Sequence, residues 1–144
     1  MKKKNQNVPK RSEILNLVVN QLALKRLGYD MMGYIILEGD QLSFHHIVPT
    51  SSGGPDTAAN CSPLSMNISH PYIHVVERYD IQLFRDISYE LMRMKERGYV
   101  DVDGLLAIDQ MLTYFEGRFD GQYNQKNNLI IRPEFKIRIQ KYIR

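Results

Sequence analysis

The sequence predicts an α+β fold, with a small antiparallel β-hairpin embedded among several α-helices. Three observations lead there. Apolar residues recur at three- and four-residue spacing over 14–27, 81–94 and 105–115, which marks helices with one buried face. Two short segments, 32–37 and 42–47, flank Gly39-Asp40 in the order strand, turn, strand. A chain of 144 residues, 43% hydrophobic and 24% charged, suits one domain with a real core.

Each element has its own signal. Residues 1–11 are polar and basic with Pro9, and read as a flexible arm ahead of a single domain over 12–144. Ser12 is the expected N-cap of a helix carrying Ile14, Leu15, Val18, Val19, Leu22 and Leu27, which stops near Gly28. The hairpin follows, and then a loop over 49–60 (PTSSGGPDTAAN), where Gly53 and Gly54 suggest unusual backbone angles. Residues 61–66 read as a short strand. Ser69 is the expected cap of the next helix, with Pro71 in its first turn. A further helix places Ile81, Phe84, Ile87, Leu91 and Met94 on one face and ends at Gly98. Asp103 is the expected cap of a helix through Phe115. Residues 120–128 are turn-like, and Pro133 opens a basic C-terminal helix.

Charge is unevenly spread. Residues 1–26 hold seven Lys/Arg against one acid, residues 27–124 six against fourteen, and residues 125–144 six against one. Two basic ends thus flank an acidic middle, a pattern suited to DNA contacts at the ends and to a basic protein partner at the helical middle. The longest apolar runs are four residues, at 34–37 and 105–108, whereas a membrane helix needs about 20. The start MKKKNQNVPKR has no apolar stretch behind its charges and does not read as a secretory signal. One cysteine, Cys61, excludes both an intrachain disulfide and a four-cysteine zinc knuckle. The expected setting is reducing and cytoplasmic.

All four histidines fall between residues 45 and 74. His70 and His74 are four apart at a helix start and share a face. Imidazole is the commonest protein ligand for divalent transition metals. His45 and His46 end a strand, where neighbours point to opposite sides. One of the two can ligate while the other works beside the ion. A third ligand from the strand makes a three-histidine site with positions left open, as a catalytic metal requires.

The stretch FHHIVPTSSGGPDTAANCSPLSMNISHPYIH, residues 44–74, resembles the HNH endonucleases of the His-Me finger superfamily. Their core is a ββα-metal finger, which here corresponds to residues 42–79. The family's opening Asp-His-Ile-x-Pro is matched by His45-His46-Ile47-Val48-Pro49, its loop glycines by Gly53-Gly54, its Asn by Asn60 and its last His by His70. His45 stands where Asp is usual, which resembles the doubled-histidine colicin-type nucleases and favours a transition metal over magnesium. The cysteine pairs of many relatives are absent, so the surrounding helices must support the finger. The resemblance implies one divalent ion (Mg, Mn, Ni or Zn) held by His45, His70 and His74. It implies His46 as general base, Asn60 as the residue orienting the loop or the base, and DNA as substrate. Family association also suggests a phage or mobile-element origin.

Single residues carry plainer readings beside these. Asn60 alone reads equally as a turn asparagine. Arg78, one turn after His74, reads either as a phosphate contact or as a solvated arginine paired with an acid. Cys61 reads as a buried, inert thiol, and the methionine-rich run 91–94 as core. At the level of the whole chain, a non-cleaving HNH-fold protein that binds nucleic acid or protein is the alternative to an endonuclease. A closed structural site of four histidines ranks last, because adjacent His45 and His46 do not easily ligate together.

Overall fold

The computed structural model describes residues 9–36 and 38–119; the expected turn at 120–128 and the expected C-terminal helix lie outside the described residues. Five helices and one two-stranded antiparallel sheet make up the described part, an α+β architecture. Strand β1, Leu42–His46, pairs with β2, Cys61–Ser65, in a register that sets His45 opposite Ser62 and His46 opposite Cys61. Every residue of β2 is buried. Pro63 lacks an N–H but loses little in a two-stranded sheet, where one edge of each strand is unpaired in any case.

The hairpin is not the one the sequence suggests. Residues 32–36 form no strand, and only an isolated bridge joins Tyr29 to Ile35. Asp30 is the reason. Its buried carboxylate accepts from the N–H groups of Met32 (2.9 Å), Tyr34 (3.1 Å) and Ser65 (2.8 Å). Folding around that carboxylate buries Met31, Met32 and Tyr34 together, which a strand with alternating faces cannot do against one core. Burial raises the Asp30 pKa despite the opposing pull of these hydrogen bonds. The partner of β1 is therefore β2, reached across the loop at 47–60.

The first helix also departs from expectation. α1, Arg11–Gln21, starts one residue before Ser12, and the Lys10 N–H reaches back to the Glu13 carboxylate at 3.1 Å. It ends early because Leu22 and Leu24 are both buried. Two residues apart on a continuous helix, they would face nearly opposite ways. Ala23 takes a left-handed conformation (φ 55°), and the short α2, Leu24–Leu27, starts in a new direction. α1 packs against both strands.

α3, Ser69–Tyr79, contains Ser69 as its first residue, so Ser69 is not the cap. Asp80 ends α3 and caps α4, Ile81–Arg97, by accepting from the Leu83 N–H at 3.0 Å. α4 buries Phe84, Ile87, Leu91 and Met94 as the spacing predicts, adding Leu83, while Ile81 is exposed. α5, Val102–Phe119, is fastened at its start by Asp101 and not by Asp103. The Asp101 carboxylate accepts from the Gly104 N–H at 2.6 Å and from both Arg93 and Arg97. Leu105, Ile108, Leu112 and Phe115 line its buried face. No helix among the described residues is long and apolar enough to cross a membrane.

Candidate metal centre and its flanking histidine

β1 and the first turns of α3 bring three imidazoles together. His45 comes from the strand, and His70 and His74 come from one face of the helix. One ring nitrogen from each lies within 4.8 Å of the other two. The His45 ring is 5.1 Å from that of His70 and 5.4 Å from that of His74, centroid to centroid. Burial grades from His45, which is buried, through half-buried His70 to exposed His74. The cluster is thus closed on the core side and open to solvent on the other.

Both ring nitrogens of His45 are buried without a hydrogen-bond partner. Leaving a buried polar atom unsatisfied costs about 1–3 kcal/mol, so this ring has a strong reason to acquire a partner. Burial, and then the neighbouring histidines, hold its pKa well below the usual imidazole range. Burial, and then His74, lower His70 to about 4. Both rings are therefore neutral near pH 7, the state that donates a lone pair.

Hydrogen bonds to the other rings set their tautomers. The Ser43 hydroxyl donates to the Leu64 carbonyl at 3.1 Å. With its one proton so used, it accepts from His70 Nδ1–H, 2.5 Å away, and His70 presents Nε2. The Glu77 carboxylate accepts from His74 Nδ1–H at 3.0 Å, so His74 also presents Nε2. Metal-bound histidines are typically oriented by such a bond through the other ring nitrogen. These residues suit a divalent ion.

His46 lies outside the cluster. It points from the other side of β1 and bonds through Nε2 to the Asp56 carboxylate in the loop. Asp56 accepts that bond from Nε2–H, which leaves the lone pair on Nδ1. The closed four-histidine shell is therefore not the arrangement among the described residues. Arg11 of α1 stands at the same place, with its guanidinium 4.8 Å from the centre of the Phe44 ring and its Nε 3.9 Å from Asp56.

Asn60 is buried and braces the loop. Its Oδ1 accepts from the Val48 N–H at 2.8 Å, and its Nδ2 donates to the carbonyls of Val48 (3.1 Å) and Pro55 (3.0 Å). Its side chain hydrogen-bonds loop backbone and, among the described residues, no histidine. Gly54 is required by crowding: an added Cβ would lie 1.7 Å from the Val48 carbonyl oxygen. Only Gly53 of the pair has a positive φ, 87°. Arg78 is exposed one turn beyond His74 and forms no ion pair among the described residues. Cys61 is buried, and burial pushes its thiol up to about 12, so it stays protonated and inert.

Asp56, Ser43, Glu77 and Arg11 are site residues that sequence reasoning passes over. The i, i+3 spacing of His74 and Glu77 was a usable signal. Ser43 sits two residues before His45 on the strand, hence on the same face. Nothing local points to Asp56 or Arg11. Comparison with protein-family models, curated proteins and solved structures finds no match to this chain.

Proposed function

We propose that this protein is a metal-dependent endonuclease of the HNH, ββα-metal finger type, which hydrolyses phosphodiester bonds in DNA. One observation carries the reading: three imidazoles from β1 and α3 converge within 4.8 Å, and the innermost is buried with both nitrogens unsatisfied. The order strand, loop, strand, helix over 42–79 accompanies it. A divalent ion held by His45, His70 and His74 would supply positive charge against the negative charge that builds up on the phosphate oxygens and the departing oxygen. Three neutral ligands leave the ion's charge undiminished, and an all-imidazole set favours a transition metal.

The chain's own groups supply the rest. His46 takes a proton from water on Nδ1, the ring atom that Asp56 leaves free. Arg78, exposed one turn past the ligands, contacts the phosphate. Asn60 acts on the loop that frames His46 and does not touch the reacting atoms. The second reading, a finger that binds without cutting, is favoured by the acidic balance of residues 27–124, because negative charge opposes phosphate approach.

The test is plasmid cleavage in Mg²⁺, Mn²⁺, Ni²⁺ or Zn²⁺ beside calorimetric metal titration. Wild-type protein should cut with at least one ion. His46→Ala should lose cleavage and keep metal affinity, while His45→Ala and His74→Ala should lose both. Affinity lost in His46→Ala and kept in His45→Ala would reverse the roles. Full metal binding with no cleavage of DNA or RNA would select the binding module.

A further inference from the structure

We infer that Asp56 is a positioning residue for His46, fixing its tautomer and ring orientation from the loop and itself steadied by Arg11. This deepens the proposed function and rests on it for its catalytic meaning. Its structural content stands apart from it.

Three features converge on Asp56. One carboxylate oxygen, Oδ1, meets His46 Nε2, and the other, Oδ2, lies 3.9 Å from Arg11 Nε. The carboxylate is thus held between the strand that carries the base and the first turn of α1. The loop that presents it is fastened immediately before Asp56. Asn60 Nδ2 donates to the Pro55 carbonyl, and the Gly54 N–H donates to the Pro49 carbonyl at 2.9 Å. The close approach of Gly54 to Val48, which no other residue permits, places the chain for Asp56 to reach His46. The loop's glycine and its buried asparagine thereby acquire a joint purpose.

A carboxylate can only accept, so it selects the Nε2–H form of the ring. Without it, a neutral imidazole distributes its proton between the two nitrogens, and the fraction with a free Nδ1 falls. Phe44, whose ring centre is 4.9 Å from that of His46, covers the imidazole but offers no hydrogen bond. Asp56 is therefore the polar group that decides the tautomer.

The experiment pairs two readouts on wild-type protein and on Asp56→Leu, Asp56→Asn and Asp56→Glu. Long-range nitrogen–proton correlation NMR of the metal-free protein in mildly alkaline buffer reports the His46 tautomer without any catalysis. Wild type should show Nε2–H; Asp56→Leu should show a mixture or Nδ1–H; Asn and Glu, which keep an acceptor, should retain Nε2–H. In plasmid cleavage, Asp56→Leu should lower kcat about ten- to hundredfold, with KM within about twofold, and Asp56→Glu should recover most of the loss. A wild-type His46 protonated on Nδ1, or a tautomer unchanged in Asp56→Leu, overturns the inference. So does a Leu variant that loses only unfolding stability, since that is what a mere partner of Arg11 would do. If wild-type protein cuts nothing, the endonuclease reading falls, and the NMR result still decides what Asp56 does.

Discussion

Replacing Asn60 by alanine removes three hydrogen bonds at once. The Val48 N–H, the Val48 carbonyl and the Pro55 carbonyl all lose the side chain that serves them. Asn60 is 3% exposed, so its own place refills poorly with water. Each bond contributes about 1 kcal/mol net, and a stranded buried group costs about 1–3 kcal/mol. The loop carbonyls lie near the surface and recover part of that from solvent. A total of about 2–4 kcal/mol follows, large for one substitution. With a urea slope of about 1–3 kcal/mol per molar, the unfolding midpoint should drop by about 1–3 M. Asn60→Asp should also destabilise, because a carboxylate keeps the bond from Val48 N–H but faces two carbonyl oxygens. Cleavage should fail in these variants in proportion to loop disorder, and be regained in part where low temperature or osmolyte restores the fold. A midpoint equal to wild type with cleavage abolished would refute this reasoning and place Asn60 in the chemistry.

Gly54→Ala should destabilise by a similar amount, since the added Cβ meets backbone at 1.7 Å and nothing there can swing aside; a urea midpoint within error of wild type would mean the loop has another packing. Asp101→Asn tests pH dependence. Burial works against the charged carboxylate, but bonds from Arg93, the Gly104 N–H and Arg97 win and lower its pKa. A depressed carboxylate stabilises above its unfolded pKa, about 3.9, and loses that contribution as pH falls through the folded value. The variant should be less stable than wild type at neutral pH by under about 1 kcal/mol, with the gap closing in acid titrations followed by circular dichroism; a gap that widens below pH ~4 reverses the sign. Removing residues 1–8, or neutralising Lys136, Arg138 and Lys141, should weaken DNA binding mainly through its salt-dependent part. Each lost phosphate contact lowers the slope of log affinity against log salt by about 0.9, and unchanged slopes in both variants would discard the basic ends as contacts.

The histidine cluster was legible because each of its two halves is set by local periodicity. An i, i+4 pair on a helix and a histidine at the end of a strand need only the two periodicities to be placed. The stripe of α4 was legible for the same reason, and Gly98 ended it as expected, with φ 86°. What escaped was set by partners distant in sequence. Asp30 is tied to Ser65, 35 positions on, and that bond turns an apolar run that looks like a strand into a folded corner. The expected partner of β1 differs from the observed β2 for the same reason, since pairing depends on which segment the core can bury. Asp56 sits in a Pro-Asp pair that reads as turn chemistry, and its link to His46 spans ten residues of irregular loop. Arg11 looked like part of a basic arm because its neighbours are basic, yet it opens α1 and points at the site.

The way the site is spread along the chain bears on the order in which it assembles. The four histidines and their partners Ser43, Asp56 and Glu77 all lie within residues 42–79, so one stretch of 38 residues can gather them without help from either end of the chain. Arg11 reaches them from outside that stretch, on the helix that covers β2. Docking of α1 therefore completes two things in one event, the burial of the sheet and the polar chain from Arg11 through Asp56 to His46. A molecule whose α1 peels away uncovers its core and loosens His46, the proposed base, together, even with the three clustered imidazoles still in place. Amide exchange at buried Val18 and Val19 would follow that opening, and its rate would set how long Arg11, Asp56 and His46 stay assembled between excursions.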